Sequence, residues 1–351
     1  MGRLGYKPAL DGVRALAILP VIGVHYYSWP RGGWLGVEVF FVLSGFLITT
    51  LLLEEHGRTG TVDLRAFFAR RARRLLPALF AMLAVYLMIS AIAAAALGSP
   101  SALRFGIVQV VIGASYVGNF VSAWIPGSVH IGHLWSLALE EQFYVLWPPL
   151  LLVLLRRRVR PSRLFAGLLV VSAAVAAFRI GLWFAGAGLA HLGGTPDVSS
   201  DSILIGCAAG VAYVHQFPLV GWARRLGTPA LLLTLGYLLF GPNRLAVDVS
   251  AWGWPLWKTI FAVVVAAAVS AAATSGSRLL SFPPLVFIGR ISYGLYLWHL
   301  PIVFVIPDPA VALPVTFAVA TSSYYLLERR FLRRRAPVVP NPIPAPALAR
   351  V

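Results

Sequence analysis

Apolar blocks of about 20 residues follow one another along almost the whole chain, and a block of that length crosses a bilayer as one helix. They lie near residues 10–30, 34–54, 77–97, 102–122, 133–155, 163–185, 202–216, 228–241, 255–274, 285–306 and 309–328. Backbone polar groups in lipid have to be satisfied within their own segment, so such a chain is restricted to helices. A mean hydropathy of +0.82 with 59% hydrophobic residues lies far above any soluble domain. The expected fold class is all-α, a polytopic transmembrane helical bundle in the inner or plasma membrane. The first block carries Asp11 and Arg14 at its entrance and lacks a small-residue cleavage site, so it reads as a retained span and not a signal peptide.

The net charge of +17 raises the question of nucleic acid, but its distribution answers it. The arginines sit in short runs between apolar blocks, at 65–74, 156–163 and 328–335, which is the positive-inside pattern of a membrane protein. If all eleven blocks crossed, the first two runs would face opposite sides. Omitting the block at 102–122, interrupted by Gly106, Gln109, Gly113, Ser115, Gly118 and Asn119, puts them on one side. That block is then expected to be re-entrant or peripheral, shielded from lipid by protein. About ten spans follow, with both termini cytosolic. Arg31, Arg104 and Arg244 fall outside, and Arg14, Arg179, Lys258 and Arg290 fall within blocks; the rest of the 29 Lys and Arg are inside. Residues 1–335 form the membrane domain, and the proline-rich stretch 336–351 is expected to be an extended, disordered tail.

Ionisable groups inside an apolar block are costly and mark candidate sites. Arg14 and His25 are eleven positions apart. That is close to three helical turns, so both project from one face, roughly 16 Å apart along the axis. Asp11 lies one turn from Arg14 and can pair with it. The first two blocks form a hairpin around 30–33, which brings His25 and Glu38 to nearly the same depth on opposite arms. A carboxylate beside an imidazole fixes its tautomer and supports it as a general base, or the pair simply locks the hairpin. Arg70, Arg71, Arg73 and Arg74 offer fork-shaped donors suited to phosphate oxygens, although topology alone also produces such a run. In the block at 133–155, His133 and Glu140 share a helix face, and Glu140 or the adjacent Glu141 requires a polar partner. Late in the chain, Tyr293 and His299 share one block, and Glu328 closes the last; His299 is placed toward the outer side and Glu328 at the cytosolic end. Asp201 is read as a helix cap.

The lone Cys207 excludes an intrachain disulfide and reads as a buried thiol. No GxSxG elbow, Walker loop or paired-cysteine pattern is present, so neither a serine hydrolase triad nor a metal site is expected.

The segments LDGVRALAI with His25, GVEVFFVLSGFLIT, RRARRLLP, HLWSLALEEQFYVLWP, DSILIGCAAG, GRISYGLYLWHLP and YYLLERRF, in this order, resemble the acyltransferase 3 family. This family of integral membrane enzymes includes O-antigen, peptidoglycan and macrolide O-acyltransferases. The resemblance covers residues 6–332. It implies that Arg14 and His25 are essential, that the arginines after the second span help recognise acyl-coenzyme A, and that Glu328 matters. Two positions depart from the family pattern: Ser199, where an arginine is common, and Arg330, where a proline is. No SGNH-type esterase domain follows, so a stand-alone form is expected.

The function implied is transfer of an acyl group, acetyl in the simplest case, from cytosolic acyl-coenzyme A to a hydroxyl of a carbohydrate or glycosylated metabolite. Arg14 and the arginine run would anchor the donor's phosphates, and His25 with Glu38 would perform the chemistry, by direct transfer or through an acyl-histidine relay. The alternatives are a transporter or flippase of lipid-linked sugars, whose interior also needs charge, and a non-catalytic membrane scaffold.

Overall fold

A computed structural model describes residues 4–125, 131–241 and 254–333. Among these residues the regular structure is entirely helical. The elements are α1 (Pro8–Tyr27), a 3-10 turn at Gly33–Leu35, α2 (Gly36–Thr59), α3 (Leu64–Ala96), α4 (Pro100–Ala114), α5 (Gly118–Trp124), α6 (Leu134–Arg156), α7 (Pro161–Phe184), α8 (Leu189–Gly194) and α9 (Pro196–Ser199). After them come α10 (Asp201–Val214), α11 (Pro218–Phe240), α12 (Trp254–Ser275), α13 (Pro283–Arg290), α14 (Ser292–Val305), α15 (Pro309–Ser323), a π-helical turn at Tyr324–Glu328, and α16 (Arg329–Arg333).

Local sequence sets many of these boundaries. Five of the longer helices, α1, α4, α7, α11 and α15, open on proline, whose fixed φ suits the first turn and whose missing N–H would be unbonded there anyway. Asp63 and Asp308 cap α3 and α15 by accepting from Ala66 N and Ala310 N. Gly60 ends α2 with φ +75°, a conformation that costs glycine little.

The helix α2 is the axis of the bundle: 72% of its apolar stretch is buried, against 28% in α3 and α7. Its tightest neighbour is α10. Gly45 of α2 lies against the carbonyl of Ile203, and Gly206 of α10 lies against that of Val42, so a Cβ at either position would overlap backbone. Small residues are how membrane helices approach closely when no hydrophobic effect drives them together.

Among the described residues, seven helices are long and apolar enough to cross a membrane, and nine if each of two bent pairs counts as one span. The bent pairs are α10 with α11, at 114°, and α13 with α14, at 66°. The sequence count of about ten treated 202–216 and 228–241 as two spans. With 14 residues, α10 is about 21 Å long, shorter than the hydrocarbon core of about 30 Å. It is buried along nearly its whole length between α2 and α7. The block at 102–122 divides into α4, of 15 residues, and α5, of 7, neither long enough to span. Arg244 and the tail at 336–351 lie outside the described residues.

Candidate functional site

A cavity of about 310 Å³ is enclosed by α1, α2, α3, α6 and α14. Its walls are mostly apolar, from Phe40, Phe41 and Leu47 of α2 and Leu137 of α6, but three arginines line it: Arg14, Arg71 and Arg74. Each is placed by a different constraint. Arg14 is held by Asp11 at 2.5 Å, one helical turn back as its spacing implied. Asp11 is buried, accepts from Tyr6 OH at 2.9 Å, and lies 3.9 Å from Arg290 Nε. Arg71 donates through Nε and Nη2 to Glu141, with the closest contact at 2.7 Å, while its guanidinium covers the ring of Tyr144. Nη2 is also 3.6 Å from Glu140, whose Oε1 accepts from Ser44 at 2.5 Å and from Tyr144 at 2.6 Å. Both glutamates of the pair thus have polar partners, as the cost of charge in an apolar block requires.

The arginine run does not act as one unit. Arg70 lies 3.6 Å from Glu55 with its side chain 57% exposed, and Arg73 Nε donates to Ala69 O of its own helix. Neither lines the cavity: Arg73 projects from the side of α3 away from Arg71, and Arg70, one turn before Arg74, is drawn out toward Glu55. Arg71 spends its fork on Glu141. Arg74 instead lies in the field of Arg14, Arg71 and Glu328. Glu328 stands at the end of the π-helical turn, 2% exposed, and its Oε1 has no hydrogen-bond partner. Single π turns inside α-helices recur at functional sites, and this one sets Glu328 facing α3. Tyr293 lines the cavity and donates to Leu75 O at 2.9 Å.

The cavity wall includes Ser136 and Tyr296 but no histidine; the rings of His133 and His299 pack against that of Tyr296, with centroids 5.5 and 5.6 Å away. The Tyr296 hydroxyl is bonded to Ser136 Oγ and to the carbonyl of His133. The ring of His299 is 5.2 Å from that of His133 and 5.0 Å from that of His25. His25 Nδ1 is 2.7 Å from Val21 O. A carbonyl only accepts, so Nδ1 carries the proton and Nε2 is the basic nitrogen.

Glu38 does not supply this orientation. The expected His25–Glu38 pair is absent among the described contacts, since Glu38 accepts from Ser202 of α10 at 2.5 Å and pairs with Lys258 of α12 at 3.2 Å. Counting out from a hairpin gives depth along the arms but not rotation about them, and α2 turns Glu38 toward α10 and α12. Lys258 also donates to Ser199 at 2.8 Å. Beside it, fully buried Arg179 makes two bonds of 3.0 Å to Asp201, which also accepts from Thr259 at 2.7 Å. Asp201 is therefore an ion-pair partner and not the cap the sequence suggested. Sequence reasoning counted Arg179 and Lys258 as charges within apolar blocks but assigned them no partners; their signal was that such charges have to pair inside the bundle. Tyr144 carried the signal of its i,i+4 spacing from Glu140 on one helix, whereas Ser44, Ser136 and Tyr296 carried none. Among the described residues no group of His, Cys, Asp or Glu is arranged to hold a metal ion.

In the comparison against known families, an acyltransferase domain profile matches residues 7–326. The chain belongs to the acyltransferase 3 family. It is 34% identical over 321 residues to the peptidoglycan O-acetyltransferase OatA of Listeria monocytogenes, covering 85% of this chain and 49% of that protein. It is 33% identical over 327 residues to the putative peptidoglycan O-acetyltransferase YrhL of Bacillus subtilis, with the same coverage of 85% and 49%. To the O-acetyltransferase OatA of Staphylococcus aureus it is 31% identical over 323 residues, covering 85% and 51%. The chain thus spans about half the length of these curated relatives. No solved structure matches it. With its apolar spans and these relatives, this family member is a multi-pass protein of the plasma membrane.

Proposed function

We propose that this acyltransferase 3 protein transfers an acetyl group from cytosolic acyl-coenzyme A to a hydroxyl of a cell-envelope carbohydrate, the class of acceptor named for its peptidoglycan-acetylating relatives. The observation that carries the reading is the cavity with Arg14, Arg71 and Arg74 on its wall and Ser136 and Tyr296 leading toward His133, His299 and His25. Phosphate oxygens need cationic donors, which Arg74 and the outer nitrogens of Arg14 supply. The separation from Arg14 to His25, roughly 16 Å by helical rise, suits a pantetheine arm. In the reaction, the hydroxyl proton passes to His25 Nε2 as its oxygen bonds the thioester carbonyl carbon. The carbon–sulfur bond then breaks, and the departing thiolate takes the proton. Val21 O, and not Glu38, holds the ring in the tautomer this requires. The arginine run at 65–74 marks the cytosolic face in this reading, which sets the arginine-lined cavity at the donor side.

The test is acetyl transfer by the purified full-length protein, from isotope-labelled acetyl-coenzyme A to peptidoglycan oligosaccharides, read by mass spectrometry. The wild type acetylates the oligosaccharide and His25→Ala does not. Transfer retained by His25→Ala would remove the mechanism, and sugar translocation without any ester formed would favour a flippase.

A further inference from the structure

Each of the three imidazoles has one nitrogen committed to a main-chain carbonyl. His25 Nδ1 meets Val21 O at 2.7 Å, His299 Nδ1 meets Tyr296 O at 2.7 Å, and His133 Nε2 meets Leu297 O at 3.2 Å. Since a carbonyl cannot donate, these three nitrogens carry the three N–H protons, and the remaining nitrogen of every ring is a bare acceptor. Two of those acceptors, His299 Nε2 and His133 Nδ1, are buried and have no hydrogen-bond partner. His299 is 0% exposed and His133 5% exposed, whereas His25 is exposed. Buried polar groups are normally satisfied, and two orphaned acceptors 5.2 Å apart ring to ring are a costly arrangement that a structural role does not require.

From this geometry we infer that His299 and His133 are positioning residues for His25, forming with it a three-imidazole unit built to hold one extra proton. In the resting state no proton lies between the rings. When His25 Nε2 takes a proton, the ring becomes an imidazolium, and His299, whose ring centroid is 5.0 Å away, sets a neutral imidazole with an uncommitted lone pair beside the new charge. His133 then supports His299 from the far side. The proton from the acceptor hydroxyl resides on this unit while the new oxygen–carbon bond forms and the carbon–sulfur bond breaks, and it leaves with the sulfur. The unit thus performs the task expected of Glu38, with neutral acceptors in place of a carboxylate.

The groups around the cluster leave this role to the imidazoles. His133 and His299 interact electrostatically with His25, and His299 with His133. From α1, the Tyr26 hydroxyl bonds His299 O and Thr316 of α15. Within α14, Tyr296 is tied to Ser136 and to His133 O. Glu140 of α6 acts on Tyr296 and is not among the groups acting on the rings.

The inference rests on the proposed role of His25 as base, and its test is chosen to read proton affinity without turnover. Diethylpyrocarbonate modifies only unprotonated imidazole, and His25 is exposed to it. Its modification rate at His25, followed by peptide mass spectrometry across pH in the full-length protein in micelles, gives the midpoint of His25 protonation. His299→Leu is expected to lower that midpoint by about one pH unit, a tenfold loss of proton affinity. His299→Gln, whose carbonyl oxygen can accept, restores most of it, and His133→Leu gives a smaller shift of the same sign. Equal midpoints in the wild type, His299→Leu and His133→Leu would overturn the inference, as would a His299→Gln midpoint no higher than that of His299→Leu. Should His299→Leu fail to elute as a monodisperse species, His299→Ala and His133→Leu carry the comparison. Shifted midpoints in a protein that transfers no acetyl would leave the proton-holding unit standing and remove the acyltransfer reading.

Discussion

Replacing Glu38 by glutamine separates a structural role from a catalytic one more sharply than any other substitution in this protein. Glu38 Oε1 is 3.2 Å from Lys258 Nζ, with both side chains almost fully buried. At an effective dielectric of about 20, the Coulomb attraction at that distance is about 5 kcal/mol, and desolvation offsets much of it while the pair is intact. Removing one partner leaves the other's desolvation uncompensated, which costs about 3–5 kcal/mol. Asp201 keeps some hold on Lys258, so the lower end, about 3 kcal/mol, applies to Glu38→Gln. Lys258→Met leaves Glu38 with only the Ser202 hydroxyl and falls toward the upper end. The double variant has no unpaired charge from this pair and recovers to within about 1–2 kcal/mol of the wild type. Reversible unfolding in micelles by steric trapping measures all four proteins, and acetyl transfer per folded molecule is measured alongside. The reasoning predicts strong coupling and near-normal turnover per folded Glu38→Gln molecule. A Glu38→Gln protein as stable as the wild type but inactive would refute it and return Glu38 to the side of His25.

Arg74→Gln is expected to raise the donor KM several-fold with little loss of stability, whereas Arg71→Gln, which strands Glu141 and takes the nearby cation from Glu140, lowers stability and weakens donor and acceptor alike; steady-state kinetics with each substrate varied in turn checks the difference. Gly206→Leu drives a side chain into the Val42 backbone and should abolish the monodisperse folded peak in size-exclusion chromatography, while Gly236→Leu, with open space beside it, should keep that peak. Ser162→Cys, exposed at the start of α7, is expected to react with a membrane-impermeant maleimide only from the cytosolic side. Buried Cys207 contributes little background, and labelling from outside would contradict the proposed orientation.

The candidate site was legible wherever one helix carried the relation. Asp11 meets Arg14 because three positions make one turn, and the face shared by Arg14 and His25 follows from the same periodicity. The need of Glu140 and Glu141 for partners was also plain, since charge in an apolar block is too costly to leave alone. Tyr144, four positions after Glu140 on α6, follows from the same periodicity, but Arg71 and Ser44 arrive from α3 and α2, and nothing in a single sequence orders those rotations. The same gap produced the mistaken pairing of His25 with Glu38. It also hid the imidazole cluster, whose members lie on α1, at the start of α6 and on α14.

The sequence by itself determined that this chain is a helical membrane protein, where several of its helices begin and end, which residues carry costly charge, and to which family it is similar. The first three of those properties follow from hydropathy, helical period and local capping, all of which act within about 20 residues, and the family from the order of motifs along the chain. The tertiary structure alone decided that α10 is a short buried helix, that Arg74 and not Arg70 or Arg73 faces the cavity, and that Glu38 belongs to Lys258. It also decided that His25 stands beside two imidazoles with bare nitrogens. Each of these depends on how far a helix is rotated about its axis when it packs, and that rotation is fixed by contacts such as the mutual approach of Gly45 and Gly206, which no local pattern encodes.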